Sequence, residues 1–381
     1  MKTLKKILDF CASYGVAAVL LLLLLLLVFF GTIEQARIGL FAAQQKYFNS
    51  FFLIHYIGGV VPLPLPGGYL LLALLFFNTL LGGIIRAPKR WSRPGLLIVH
   101  LGILYLVLAG FVAHKYALSG NLPLFEGRSA SYFQSYFDWD LFITVGGADG
   151  SGQQYVVPQE SLAHPGAFFY AEELPFIVKI DRYYKNSMAV EDNSAHAIDG
   201  AALKELSENQ SAEANIPGML ITLEGDISEK GILWGMQRGP WIVEADGKQF
   251  SFDFTRRRWE LPFTVTLQKF NHEWHPGTST PSHFSSRVSV KDEGLPRESL
   301  IQMNEPLRHR GYTFYQASWG PSDGKEGDPL YSVLAVVKNP AGQWPVYASC
   351  IISAGLLIHY LQVLLRYLKR RSRLSGEKGT C

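Results

Sequence analysis

Four stretches of this chain are long and apolar enough to demand a lipid environment, and nothing else in the sequence restricts its fold so strongly. Crossing roughly 30 Å of hydrocarbon takes about 20 mainly apolar residues, a length approached by 16–33, 69–85, 95–113 and 346–365. Lys2, Lys5 and Lys6 ahead of the first stretch imitate a secretory signal. A signal's apolar core is about 7–15 residues long and ends at small residues. Here the run is unbroken leucine from Leu20 to Leu27, continues to Phe30 and meets Glu34-Gln35, so a retained span is the expectation.

The net charge of +3 conceals a division. Residues 114–345 hold 20 basic and 29 acidic side chains, a net of −9, while the remainder carries +12. The basic residues of that remainder flank particular spans: Lys2, Lys5 and Lys6 before the first; Arg86, Lys89, Arg90 and Arg93 between the second and third; Arg366, Lys369, Arg370, Arg371, Arg373 and Lys378 after the fourth. Loop 34–68 has only Arg37 and Lys46. Positively charged loops stay cytoplasmic, so both termini are expected inside and the acidic 114–345 segment outside, in the bacterial periplasm or its equivalent. Within loop 34–68, residues 38–61 mix aromatic and amide side chains as an interfacial helix does, with Pro62, Pro64 and Pro66 as its expected end.

From 114 onward, short alternating or apolar runs divided by Gly, Pro, Asn and Asp announce β structure. Strands are expected at 141–145, 176–183, 219–223, 231–237, 241–244, 250–254, 261–270, 287–290, 299–303, 312–317 and 332–337. The fold class is therefore an integral membrane protein of four transmembrane helices, three within 1–113 and the fourth at 346–365, with a large extracytoplasmic, mainly antiparallel β domain (sandwich or open barrel) at 114–345 between them and a basic tail at 366–381. Residues 196–214, rich in Ala, Glu and Leu, predict a helical insertion.

The outer segment lacks GxSxG, GxxxxGK[ST], HExxH and a GxGxxG between strand and helix. Cys11, Cys350 and Cys381 form no CxxC pair, and 114–345 contains no cysteine. His272-Glu273-Trp274-His275 offers two imidazoles at an unusual spacing for zinc; a polar turn closed by Pro276-Gly277 is the simpler reading. Ionisable side chains inside a span are costly and mark function. His100 lies roughly 8 Å from the cytoplasmic start of the third span, His359 about 9 Å from the cytoplasmic end of the fourth, and Asn78 about 10 Å from that of the second. Hydrogen bonding between helices would account for all three; neutral imidazole is equally an axial ligand for haem iron. His55 and His114, near the outer surface, read as interfacial polar groups.

Several local strings carry a resemblance: Gly31-Thr32-Ile33-Glu34-Gln35, Val99-His100-Leu101-Gly102, Leu124-Phe125-Glu126-Gly127, Pro276-Gly277-Thr278 with Phe284-Ser285-Ser286, and above all Met303-Asn304-Glu305-Pro306-Leu307 followed by Gly311-Tyr312-Thr313-Phe314-Tyr315-Gln316. In this order, with three spans before the β domain and one after, the chain resembles the ResB (CcsB) family of System II cytochrome c biogenesis. The resemblance implies a subunit without catalytic residues of its own that works with a ResC/CcsA-like membrane partner, delivering haem b across the membrane for attachment to CxxCH apocytochrome c. It further implies His100 as the axial haem ligand, with His359 second in rank and a same-chain pair of the two as the alternative. No separate metal site is expected. Other expected partners are a separate thiol–disulfide reductant and membrane lipid, but no nucleic acid. Asp138-Trp139-Asp140 is only a fragment of the tryptophan-rich motif belonging to the partner family. Read without the resemblance, the chain also suits a membrane-anchored extracytoplasmic ligand-binding or sensory protein without haem chemistry.

Overall fold

The computed structural model describes residues 2–87, 94–146, 152–164, 166–192, 198, 200–275, 281–321 and 329–377. The chain divides into two units, Met1–Ala117 with Asn339–Cys381, and Leu118–Lys338.

The first unit is helical. α1 (Lys2–Cys11) breaks at Ser13, whose hydroxyl accepts from the Val16 amide and caps α2 (Tyr14–Ile38); such a cap satisfies a donor left open at a helix start. Gly39, at φ 83°, ends α2 in the left-handed region open to glycine. A short α3 (Leu40–Ala43) runs into a π-helical turn, Gln44–Phe48. The chain then forms a hairpin, β1 (Phe52–Ile57) with β2 (Val61–Pro66). The expected interfacial helix over 38–61 is thus limited to 40–48, and the prolines lie within a strand. Proline is tolerated there because β2 pairs on one side only. α4 (Gly68–Asn78) continues as a π-helical segment, Thr79–Ile85, followed by α5 (Pro94–Tyr116) and α6 (Trp344–Glu377). Among the described residues, four helical stretches are long and apolar enough to cross a membrane: Tyr14–Ile38, Gly68–Ile85, Pro94–Tyr116 and Trp344–Arg371.

α5 and α6 pack backbone to backbone. A Cβ on Gly355 would stand 2.8 Å from the Val99 amide nitrogen and 2.9 Å from the Gly95 carbonyl. Small residues of this kind let membrane helices approach closely enough for dispersion to hold them.

The second unit is mainly β. Its strands are β3 (Leu118–Phe125), β4 (Ser129–Gly146), β5 (Gly152–Pro158), β6 (Phe168–Phe169), β7 (Phe176–Tyr184), β8 (Ser187–Glu191), β9 (Ala201–Glu205), β10 (Gly218–Gly225), β11 (Ser228–Trp234), β12 (Trp241–Ala245), β13 (Lys248–Trp274), β14 (Pro281–Lys291), β15 (Arg297–Gln302), β16 (Leu307–His309), β17 (Tyr312–Gly320) and β18 (Tyr331–Lys338). A ten-stranded, nearly barrel-shaped sheet follows β15-β14-β13-β4-β3-β18-β17-β16, with β12 on β13 and β5 on β4. A second sheet, β11-β10-β7-β6, faces one part of it. The predicted helical insertion is replaced by β9, which pairs with β8, and a single 3-10 turn at Ala212–Ala214. Tertiary pairing overrides helix propensity there. Residues 193–197 and 199 lie outside the described residues.

β13 joins two cores. Phe250, Phe252 and Phe254 are fully buried beneath the second sheet, whereas Val265 and Leu267 are fully buried inside the barrel. Inward side chains pass from even to odd numbers between Phe254 and Leu261, and back between Leu267 and Phe270, where the pairing register breaks. An inserted residue moves everything after it to the opposite face. Separate strands predicted at 250–254 and 261–270 are therefore one.

Candidate functional site

α5 places His100 opposite the π-helical end of the second span. A Cβ on Gly83 would lie 2.7–3.0 Å from its imidazole ring, so glycine at that position is what admits the ring. π-helical turns within helices are frequent at functional sites. His100 is half-buried, and apart from a weak interaction with the Leu96 carbonyl its shielded Nδ1 makes no hydrogen bond. On α6, His359 packs its backbone against Gly95, five residues before His100, a rise of roughly 7–8 Å. Its Nδ1 is likewise buried without a partner, as is Oε1 of Gln362 one turn further on. No ring contact or hydrogen bond joins the two imidazoles among the described residues. Gln362 escaped the sequence reading; its spacing of three from His359 was the available signal.

Buried polar atoms in apolar surroundings are costly when unpaired. An imidazole beside a glycine and within apolar helices, whose buried Nδ1 has at most a weak contact with the Leu96 carbonyl, has the chemistry of an axial ligand to haem iron. Asn78, the third polar residue expected at this depth, is already engaged: its Nδ2 donates to the carbonyls of Cys11 (2.6 Å) and Ser13 (3.2 Å). It fastens the corner between α1 and α2, which the Asp9–Arg86 ion pair also ties to the second span.

At the other end of α2, the 31–35 string organises the π-helical turn. Gly31 leaves room for the rings of Phe48 and Tyr47, and buried Glu34 accepts from Arg37 (2.5 Å) and Lys46 (3.3 Å). His55 is buried, stacks on Phe30 at 4.4 Å and shares a 2.5 Å hydrogen bond with the Tyr47 hydroxyl. His114 Nε2 is 2.6 Å from the Tyr69 hydroxyl. Both histidines therefore have partners within the unit.

The strings of the β unit are structural where they are described. Glu126 accepts from the Phe270 amide (2.7 Å) beside a register break in β13. Arg310 and Gly311, both at positive φ, form the two-residue turn between β16 and β17, the geometry whose twist matches a hairpin. Ser286, Gln316 and Ser332 close a buried ring: Gln316 Nε2 to Ser332 Oγ 3.0 Å, the two hydroxyls 2.7 Å apart, and Ser286 Oγ to Gln316 Oε1 2.6 Å. With one proton per hydroxyl, each member donates once and accepts once around the ring, and the second Gln316 amide hydrogen goes to the Ser318 carbonyl at 3.3 Å. Asp140, in the tryptophan-flanked fragment, is 4% exposed and is clasped by Arg257 through contacts of 2.9–3.0 Å. Arg257 also reaches Glu160 at 2.7 Å and holds that carboxyl below its ordinary range. Arg256 lies over the Trp139 ring at 4.4 Å. β13 continues to Trp274, so His272 is a strand residue, stacked on Trp319 at 4.7 Å, rather than part of a turn; Pro276-Gly277-Thr278 lies outside the described residues.

Comparison with known proteins agrees with this layout. NrfI of Wolinella succinogenes is 28% identical over 109 residues, 28% of this chain and 11% of that protein. A cytochrome c biogenesis protein CcsB of Picosynechococcus sp. is 28% identical over 164 residues, 38% of this chain and 34% of its own. The CcsB of Synechococcus sp. strain CC9605 is 32% identical over 89 residues, 23% of this chain and 20% of its own. The aligned part spans about a third or less of each relative. The ResB-like family profile matches residues 82–328, which include Gly83, His100 and the β unit up to its last strand, but neither His359 nor the 31–35 string. As that match covers well over half of the sequence, the chain belongs to the ResB-like family.

Proposed function

We propose that this chain acts in cytochrome c biogenesis, as a membrane subunit that passes haem b to the outer side with a ResC/CcsA-like partner and supports its attachment to CxxCH apocytochrome c. The names of its relatives and the family match support the process. The observation that carries the mechanism is His100: a glycine-bordered imidazole with a buried, unpartnered nitrogen inside the family-matched segment. In this reading His100 gives one axial bond to haem as cargo, and the partner gives the other. His359 and Gln362, on the helix that crosses α5 at Gly95, are the same-chain candidates for a second contact.

Basic residues flanking the spans support cytoplasmic termini in a bacterial inner membrane, with the acidic β unit outside to receive the apocytochrome. Thioether formation needs reduced cysteines. The β unit has none of its own to exchange, so a separate thiol–disulfide reductant serves that step. The chain's contribution is holding and positioning.

The test is purification with the partner, followed by absorption spectroscopy. Wild type is expected to show a low-spin haem spectrum, which His100→Ala loses and added imidazole restores. A wild-type complex without haem, or His100→Ala with an unchanged spectrum, would overturn the ligand role. His359→Ala distinguishes a ligand shared between subunits from a same-chain pair.

A further inference from the structure

We propose that the β1–β2 hairpin is an interfacial anchor whose outward face seats in the headgroup and upper acyl layer of the bilayer crossed by the neighbouring helices. The inward face is fixed by its own unit: Leu53 packs with Leu20, Leu27 and Leu71, and His55 lies on Phe30. The opposite face carries Phe52, Ile54 and Tyr56, which are 75%, 50% and 46% exposed. They stand across from Pro66, Pro64 and Pro62 in register. At the tip, Gly58 and Gly59 turn the chain at positive φ and Val60 is 79% exposed. All of this surface is uncharged. No Asp, Glu, Lys or Arg occurs from Tyr47 to Ile85, and β2 leads into the lipid-spanning α4 after a single intervening residue.

The prolines argue against a protein strand at the β2 edge and for lipid over the outward face. Proline has no amide hydrogen, so the ladder donors of β2 must come from the alternate residues, at the pairs Leu53–Leu65, His55–Leu63 and Ile57–Val61. Pro62, Pro64 and Pro66 then line the free edge, where they offer no donor. Another chain's strand finds little to pair with there. The same substitution removes three N–H groups that a water-poor layer would leave unsatisfied. The free edge of β1 keeps the amides of Phe52, Ile54 and Tyr56, and open edges do not occur in the hydrocarbon centre. The hairpin therefore rests at headgroup depth, where an aromatic ring carrying a hydroxyl, such as Tyr56, is favoured. A groove of about 430 Å³ between Phe52, Leu53, Ile54, Pro64, Leu65 and Pro66 gives an acyl chain its seat.

The test uses the full chain with Cys11, Cys350 and Cys381 replaced by serine, reconstituted alone in phosphatidylcholine vesicles. Nitroxide labels go on Ile54→Cys, on Val60→Cys and, as an aqueous reference, on Ser211→Cys. Labels at 54 and 60 are expected to show a ratio of oxygen to nickel-chelate accessibility severalfold above that at 211. A nickel-accessible label at both hairpin sites would overturn the proposal by placing the face in water. Labels reached by neither reagent would overturn it by placing the face against protein. The two sites lie on the strand and at the tip, so a variant that fails to insert leaves the other to decide.

Discussion

In the β unit the buried carboxylate of Asp140 is gripped by Arg257, and Ser286, Gln316 and Ser332 pass hydrogen bonds around a closed ring. In the membrane unit, where an unpaired polar atom has no water to turn to, His100, His359 and Gln362 each keep one buried atom without a partner. Burial alone therefore does not identify a working residue. Among the described residues, Glu126, Ser286 and Gln316 of the β strings spend their polar groups on hydrogen bonds within the sheet. The His100 ring lies against Gly83 and the His359 backbone against Gly95, and the buried Nδ1 of each imidazole is left without a well-formed hydrogen bond. Asn78 sharpens the point, since it lies in the same helices yet behaves like the β residues, spending its amide on a chain corner.

Substitutions can break or sharpen this contrast. The largest effect is expected from Gly355→Leu, whose side chain would overlap backbone atoms of α5. A loss above about 3 kcal/mol, the upper range for overpacking, should appear as collapse of heat stability in detergent. Next is Arg257→Met, which strands the Asp140 carboxylate and should cost about 3 kcal/mol in thermal or denaturant unfolding of the β unit. Adding Asp140→Leu should recover much of that loss, because an apolar pair of similar size replaces an ion pair at little cost. Ser286→Ala opens the hydrogen-bonded ring and leaves Gln316 Oε1 short of a donor, at about 1–2 kcal/mol. If it proved neutral, the ring would not be the closed device described.

The smallest effect concerns pH. Arg257 depresses the Glu160 carboxyl below its ordinary value, so the stabilisation is complete above the unfolded carboxylate pKa of about 4.3. It is lost as pH falls through the lower folded value. Glu160 is largely exposed, which limits the difference between wild type and Glu160→Gln to a few tenths of a kcal/mol. That difference should be measurable in melting curves at pH 7 and shrink as the pH is taken below the unfolded carboxylate value.

The spans and the β character of the second unit were legible because a long apolar run and a two-residue alternation are properties of neighbours in sequence. Asn78 was visible as a polar residue in a span, but its use depends on a corner formed 65 residues earlier. The pairing of Asp140 with Arg257 joins positions 117 apart; three consecutive arginines in an alternating strand were its only trace. Ala201–Glu205 misled because alanine and glutamate favour helix in isolation, and only the presence of β8 makes them a strand. Pro62, Pro64 and Pro66 read as a stop, whereas spaced by two they describe one side of a strand. For His100 the residue was legible, and the glycine that borders it was not.

The first and last strands of the β unit are partners: Leu118 lies opposite Lys338. Residues opposed in an antiparallel pair are about 5 Å apart, so the chain enters and leaves this unit at a single doorway. Seen from the helices, more than two hundred residues are an excursion from a point on a tight helical hairpin. Such an arrangement lets the excursion be enlarged, trimmed or exchanged in the course of evolution while the crossing of α5 and α6 keeps its geometry.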